Sequence, residues 1–323
     1  MSRLTCLLLP AVVMSCALVP AHAQTQVTRA IRIIVPYVPG GGTDTLSRLI
    51  GPHISEEFGQ QVLIDNRPGG SSTIGTQMVA KAPPDGEIIG MIDAAFVINP
   101  SLLGSLPYDT LRDFAPISLI AVAPLVLVVH PQLPVKSVKE LVALAKSRPG
   151  KIHFGSAGNG TAVHLAGEQF RSVTGTNIVH VPYKGAGQAI TDLIGGQIEM
   201  AFSTQSSVKQ YVTAGRLRAL AITTPKRTTV MPEVMTFTEA GYPGVDAKTI
   251  NGLVAPAGTP KDYIARVHKA VLKGLRQPEF QAKLADLGFE QVGNTPEQFA
   301  QYIRTEIEKW GKVVKASGAK AAL

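Results

Sequence analysis

Short apolar, β-branched runs alternating with helical patterns constrain this 323-residue chain more than any other feature. Residues 31–35, 62–65 and 87–92 have the length and composition of strands, and helical patterns fill about 45–58 and 73–81 between and after them. Such alternation is the signature of β-α units and predicts an α/β protein with a mainly parallel sheet. A strongly apolar strand at 125–130, between Pro124 and Pro131, opens a second unit. It continues with a helix over 137–147, for which Ser137 is an N-cap with Glu140 three residues on. Strands at 152–154, 178–181 and 199–202 follow, with helices at 162–174 and 186–194. A strand at 217–223, a short one at 252–255 and helices at 261–276, 279–287 and 296–316 complete the pattern. The simplest arrangement is two lobes with crossings near Pro124 and Pro225. Residues 24–124 and 225–323 then form a discontinuous first lobe, and residues 125–224 the second.

The first 23 residues stand apart. Arg3, an apolar run from Leu4 to Val19, and Ala21-His22-Ala23 before Gln24 reproduce the three parts of a secretory signal peptide. The run contains Pro10 and is shorter than the ~20 apolar residues that span a bilayer. Cleavage after Ala23 and export to the periplasm are therefore expected, with lipid attachment at Cys16 as a weaker alternative. Cys6 and Cys16 are the two cysteines of the chain and both lie in this leader. Cleavage would leave no thiol for a disulfide, a nucleophile or a metal site.

The net charge of +8 raises the question of nucleic acid. Its lysines and arginines are scattered, apart from Lys309, Lys312, Lys315 and Lys320 at helical spacing, and aromatics for base stacking make up 6% of residues. A mild positive field suits anionic solutes better, and no nucleic-acid partner is expected.

Two loops carry the clearest chemistry. Pro36-Tyr37-Val38-Pro39-Gly40-Gly41-Gly42-Thr43-Asp44 follows the first strand and opens a helix. Gly155-Ser156-Ala157-Gly158-Asn159-Gly160-Thr161 repeats the design in the second unit, ahead of the helix bearing His164. Glycines let backbone approach a ligand, and free amides at a helix start favour an anion, at ~1.5–3 kcal/mol per hydrogen bond to a charged group. The first loop reads equally well as a tight turn with Thr43 or Asp44 as the cap. Neither loop matches a nucleotide-binding pattern, so no cofactor is expected. Other loops after strands carry small polar groups: Gly69-Gly70-Ser71-Ser72-Thr73, Asp93-Ala94-Ala95, Tyr183-Lys184-Gly185 and Ser203-Thr204. In open α/β sheets such loops line the ligand crevice. Catalysis finds little support, because there is no G-x-S-x-G elbow and no paired histidine spacing for a metal. A hydrolase or isomerase would have to use His164 with Asp93 or Asp44.

Several stretches taken together resemble one family: Val35-Pro36 to Asp44, Asp65-Asn66-Arg67-Pro68-Gly69, Pro84-Asp85-Gly86, Phe114-Ala115-Pro116-Ile117, Gly155 to Thr161, His180-Val181-Pro182-Tyr183-Lys184-Gly185 and Ala255-Pro256-Ala257-Gly258-Thr259-Pro260. The chain resembles the substrate-binding proteins of tripartite tricarboxylate transporters, the Bug-type receptors. The resemblance implies a two-lobed, type II-like periplasmic binding fold that closes as a Venus flytrap over a small organic acid. It implies that the protein presents this acid to membrane permease subunits. A monomer is expected, and a ligand-loaded sensor acting on a membrane kinase is the alternative. It further implies that one ligand carboxylate is held by the loops matching Tyr37, Gly41, Gly42, Thr43 and Asp44 and matching Ser156, Asn159, Gly160 and Thr161. The loops of Ser71 to Thr73, Asp93 and Ala94, Lys184, and Ser203 and Thr204 would shape the rest of the pocket. One departure stands out: where the family often has tryptophan before a Gly-Leu-x-Ala-Pro strand, this chain has Thr249-Ile250-Asn251.

Overall fold

The computed structural model describes residues 29–183 and 185–318. The leader, both cysteines and Lys184 lie outside them. The first lobe begins with β1 (Ile31–Val35), α1 (Gly42–Phe58), β2 (Val62–Asn66), α2 (Thr73–Ala80), β3 (Ile88–Ile92) and α3 (Ala94–Leu102). A 16-residue strand, β4 (Phe114–Val129), then leads into α4 (Val138–Ser147), β5 (His153–Ser156), α5 (Ala162–Thr174), β6 (Val179–Pro182), α6 (Ala186–Ile194), β7 (Met200–Thr204), α7 (Gln205–Thr213) and β8 (Arg218–Ile222). The chain ends with β9 (Lys248–Pro256), α8 (Lys261–Leu275), α9 (Pro278–Asp286), β10 (Glu290–Gln291) and α10 (Pro296–Ser317).

The strands follow the order β2-β1-β3-β9-β4-β7-β5-β6, with β8 and β10 also pairing β4. The two wings are parallel, as the βα alternation predicts. The centre is not. Strand β9 runs antiparallel to both β3 and β4, and β4 runs antiparallel to β7 and β8. The sheet is therefore mixed rather than mainly parallel.

Strand β4 links the lobes. From Phe114 to Pro124 it pairs with β9, and from Leu125 to Val129 with β7 and β8. Proline has no N–H to donate to a ladder, and the β4/β9 register shifts after Pro116. The return crossing differs from the expectation near Pro225. Met231 and Val234 pack with Val126, Val128 and Ile222 of the second lobe, and the Phe237 ring stacks on Phe202 at 5.9 Å. Residues 225–247 thus belong to the second lobe by packing, and the crossing falls at β9.

Two helices, α3 and α7, have no counterpart in the sequence reading. Helix α3 is buried on nearly every side and contains Pro100, so it shows no amphipathic stripe. Helix α10 packs against both α3 and α5, and its Trp310 is fully buried with Nε1 donating to Glu306. One apolar core runs through both lobes beneath it. Among the described residues no helix is long and apolar enough to cross a membrane.

Candidate functional site

A cleft of ≈350 Å³ opens between the lobes. Its first-lobe wall is formed by Tyr37, Ser71, Asp93, Ala94 and Ala95. The opposite wall comes from the second glycine-rich loop and the start of α5, at Ala157, Asn159, Gly160, Thr161, Ala162 and Val163. Ala186, Ser203, Thr204 and Ser207 close its side, and Thr249 of β9 also lines it. The family departure noted in the sequence thus falls at the cleft, while the neighbouring Ile250 is buried in the core.

On the first-lobe side, β3 delivers Asp93 to the N-cap of α3, where Oδ1 accepts from the Ala95 amide at 3.0 Å. Tyr37 Oη donates to Asp93 Oδ2 at 2.6 Å. Burial pushes the Asp93 carboxyl up to about 6, against the lowering effect of these two donors. Burial and the adjacent Asp93 charge also push the Tyr37 phenol well above its ordinary value. Ser71 and Ser72 adopt left-handed backbone, with φ of 51° and 72°. That conformation costs a residue other than glycine ~1–2 kcal/mol. It is held by Asn99 Nδ2, which donates to the Ser71 carbonyl at 2.8 Å, and by Thr76 Oγ1, which donates to the Ser72 carbonyl at 2.9 Å. Ser71 thereby faces the cleft, whereas Ser72 is buried and Thr73 Oγ1 donates to the Gly70 carbonyl.

The first glycine-rich loop departs most from expectation: Gly41, Gly42, Thr43 and Asp44 do not line the cleft. The Asp44 carboxylate turns back on its own loop, accepting from the Gly40 amide at 2.9 Å, from Arg48 Nε and Nη2 at 3.0 and 2.9 Å, and from Asn66 Nδ2 at 3.0 Å. Burial alone would raise this carboxyl, but the donors outweigh it and hold it below its ordinary value. The anion at this helix start is the protein's own. Gly41, not Thr43 or Asp44, is the N-cap, and no side chain caps α1. A Cβ on Gly42 would sit 3.0 Å from the Phe289 ring, so this glycine serves close packing.

The second loop does face the cleft through Asn159, Gly160 and Thr161, but Ser156 and His164 stand behind it. Thr161 caps α5, and its Oγ1 donates to the Gly158 carbonyl at 2.8 Å. The Gly160 amide donates to His164 Nδ1 at 3.1 Å. The His164 ring stacks on His180 with centroids 3.9 Å apart, and His180 Nε2 hydrogen-bonds Ser156 Oγ at 2.6 Å. Burial, reinforced by the neighbouring positive groups, pushes His164 down to about 3; burial, with Arg171, pushes His180 down to about 4. Both rings are neutral at physiological pH. His164 therefore braces the loop and does not project into the cleft. Nor does it pair with Asp93 or Asp44, each of which is engaged elsewhere, so the combination that a hydrolase or isomerase would have to use is not assembled here. Ser156, hydrogen-bonded to a histidine as a nucleophile would be, is 1% exposed.

Four lining residues, Ala162, Val163, Ala186 and Ser207, lie outside the loops to which the sequence points. Small apolar side chains carry no motif of their own. The position of Val163 two residues after the cap of α5 is the one local signal. Gly160 has a further role: a Cβ there would lie 2.3 Å from Leu102 Cδ2 of α3, so its bare backbone lets the lobes approach.

Comparison with known proteins decides the family. Residues 46–319 match the model of the tripartite tricarboxylate transporter family receptor. The chain belongs to this receptor family. The receptor is 36% identical to BugT of Bordetella pertussis (strain Tohama I) over 303 residues, 93% of each chain. Among solved structures it is similar to R. palustris Rpa4515 with adipate, at 34% identity, covering 91% of this chain and 99% of that one with a TM-score of 0.80. It is also similar to MatC from Rhodopseudomonas palustris with bound malate, at 29% identity, covering 88% and 99% with a TM-score of 0.77. Members of the family are periplasmic solute-binding receptors, and the two-lobed fold of this receptor is theirs.

Proposed function

We propose that this receptor captures a small organic acid, a di- or tricarboxylate or an aromatic acid, in the cleft between its lobes and presents it to the membrane permease subunits of a tripartite tricarboxylate-type transporter. It acts in the periplasm as a monomer, after removal of residues 1–23, and catalyses no reaction. One observation carries the reading: the cleft is walled by hydroxyl, amide and small apolar groups drawn from both lobes, with a single carboxyl, Asp93, among the described residues. Its volume lies at the small end of the ~300–1,000 Å³ typical of small-molecule sites. The adipate and malate of the two R. palustris relatives are acids of matching size. The anion contacts fall to Ser71, Asn159, Ser203, Thr204 and the backbone of the second glycine-rich loop. Asp44 and His164 support the loops from behind.

The test is thermal unfolding of the receptor after removal of co-purified ligand, against a panel of organic acids. A true ligand at a hundredfold excess over Kd stabilises the folded state by ~2.7 kcal/mol. A panel in which no acid raises the melting temperature sinks the proposal.

A further inference from the structure

Asp93 is the one charged side chain among the described residues that line the cleft. A carboxylate in a site for a carboxylate needs a reason. Its position is secured by the backbone, since it caps α3, and by Tyr37, whose phenol donates to it at 2.6 Å. Neither partner is a cation. In the first lobe Asp44 has Arg48, and Asp65 has Arg32 and Arg67; Asp93 has no such neighbour among the ion pairs of the described residues. Tyr37 donates to Oδ2 and the Ala95 amide to Oδ1, a carboxylate has about four acceptor sites, and the side chain stays partly open to the cleft. A bare acid in the cleft meets that carboxylate as a like charge. An acid that carries a hydroxyl or ammonium group can instead donate to it, and a hydrogen bond to a charged acceptor is among the stronger ones. The phenol of Tyr37 cannot supply this donor, because its proton is already directed at Asp93.

We infer that Tyr37 and Asp93 form a selectivity subsite that accepts a hydrogen-bond donor, so that the receptor prefers hydroxy- or amino-substituted acids over their unsubstituted parents. Asp93 receives the donor, Tyr37 fixes the direction of its oxygens, and the hydroxyl and amide groups across the cleft hold the ligand carboxylate. This rests on the receptor reading above and narrows it. A site of this kind discriminates strongly, because the parent acid offers the charged carboxylate no donor in place of the water it displaces.

The experiment is calorimetric titration of the ligand-free receptor at neutral pH with matched acids: succinate, malate and aspartate, then glutarate, 2-hydroxyglutarate and glutamate. The expected result is that at least one donor-bearing acid binds tenfold or more tighter than its parent. Asp93→Asn, which keeps the cap acceptor but removes the charge, should narrow that ratio to about threefold or less, mainly by improving binding of the parent acid. Tyr37→Phe, which leaves Asp93 charged, should retain a preference for the donor-bearing acid and so guards against a folding defect in the first variant. Parent acids that bind the wild type as tightly as their substituted partners overturn the subsite while leaving the receptor reading intact. An unchanged ratio in Asp93→Asn also overturns it. Binding of no acid in either series, with the panel above also silent, overturns both.

Discussion

His164 and His180 should make the folded receptor lose stability in acid by an amount the structure allows to be worked out. Both rings are held below their ordinary value of 6.5, at about 3 and about 4, by burial first and by neighbouring positive groups second. Well above pH 6.5 both rings are neutral in the folded and unfolded chain, and they contribute no pH dependence. Below it the unfolded chain takes up protons that the folded chain refuses, so stability falls with pH until the folded rings begin to protonate. One proton of difference is worth ~1.4 kcal/mol per pH unit, so His164 alone should account for ~2 kcal/mol between about pH 6.5 and 4.5. His180 is less deeply buried, and solvent screening leaves it a smaller share. Asp93 acts with the opposite sign. Its folded value of about 6 stands above the ordinary 3.8, so the folded state gains relative stability as pH falls through 6 toward 4. A raw pH profile mixes the two, and a difference against a variant separates them. His164→Asn places an amide oxygen where Nδ1 accepts from the Gly160 amide. Urea unfolding of both proteins from about pH 7 to about pH 4.5 should show the wild type losing ~1 kcal/mol per unit relative to the variant below about pH 6. A difference that stays constant within ~0.5 kcal/mol across that range would refute the claim that His164 is buried neutral.

Two further outcomes follow from the loops. Asp44→Ala removes a buried carboxylate with donors from Gly40, Arg48 and Asn66 and should cost ~2–3 kcal/mol in urea unfolding; a loss under ~0.5 kcal/mol would show that the loop does not depend on it. Gly160→Ala meets two penalties, a φ of +77° and a Leu102 methyl 2.3 Å from the added Cβ, for an expected loss above ~2 kcal/mol. Leu102→Ala relieves only the second penalty, so a double-mutant cycle should return a coupling of ~1 kcal/mol, and strict additivity would remove the interlobe contact from the account.

Much of the scaffold was legible in local pattern. Strand β1 and helices α5 and α6 begin and end where their apolar periodicity and flanking glycines place them. Ser137 caps α4 by accepting from the Glu140 amide, as the spacing of the two residues indicates. What escaped had no such signal. Helix α3 is too uniformly apolar to show a face, and the antiparallel pairing of β4 with β9 joins segments more than a hundred residues apart. Ala162, Val163 and Ala186 of the cleft wall escaped because alanine and valine side chains announce burial and nothing more.

The glycine-rich loops show where local reading ends. From its own residues the chain determined that two strand-loop-helix units carry glycine-rich, amide-rich starts, and with the family stretches this was enough to expect a small anion between two lobes. Only the tertiary structure decided which amides remain for that anion. Asp44 satisfies the Gly40 amide and His164 the Gly160 amide, because Asn66 and Arg48 turn the one inward and the His180 stack holds the other. The Tyr37–Asp93 pair, 56 residues apart, exists because β1 and β3 are neighbours in the sheet and end at the same edge. Helical and strand periods encode which face of an element is apolar. Which two polar groups meet across the ends of neighbouring strands is set by sheet order and register, to which neither period refers.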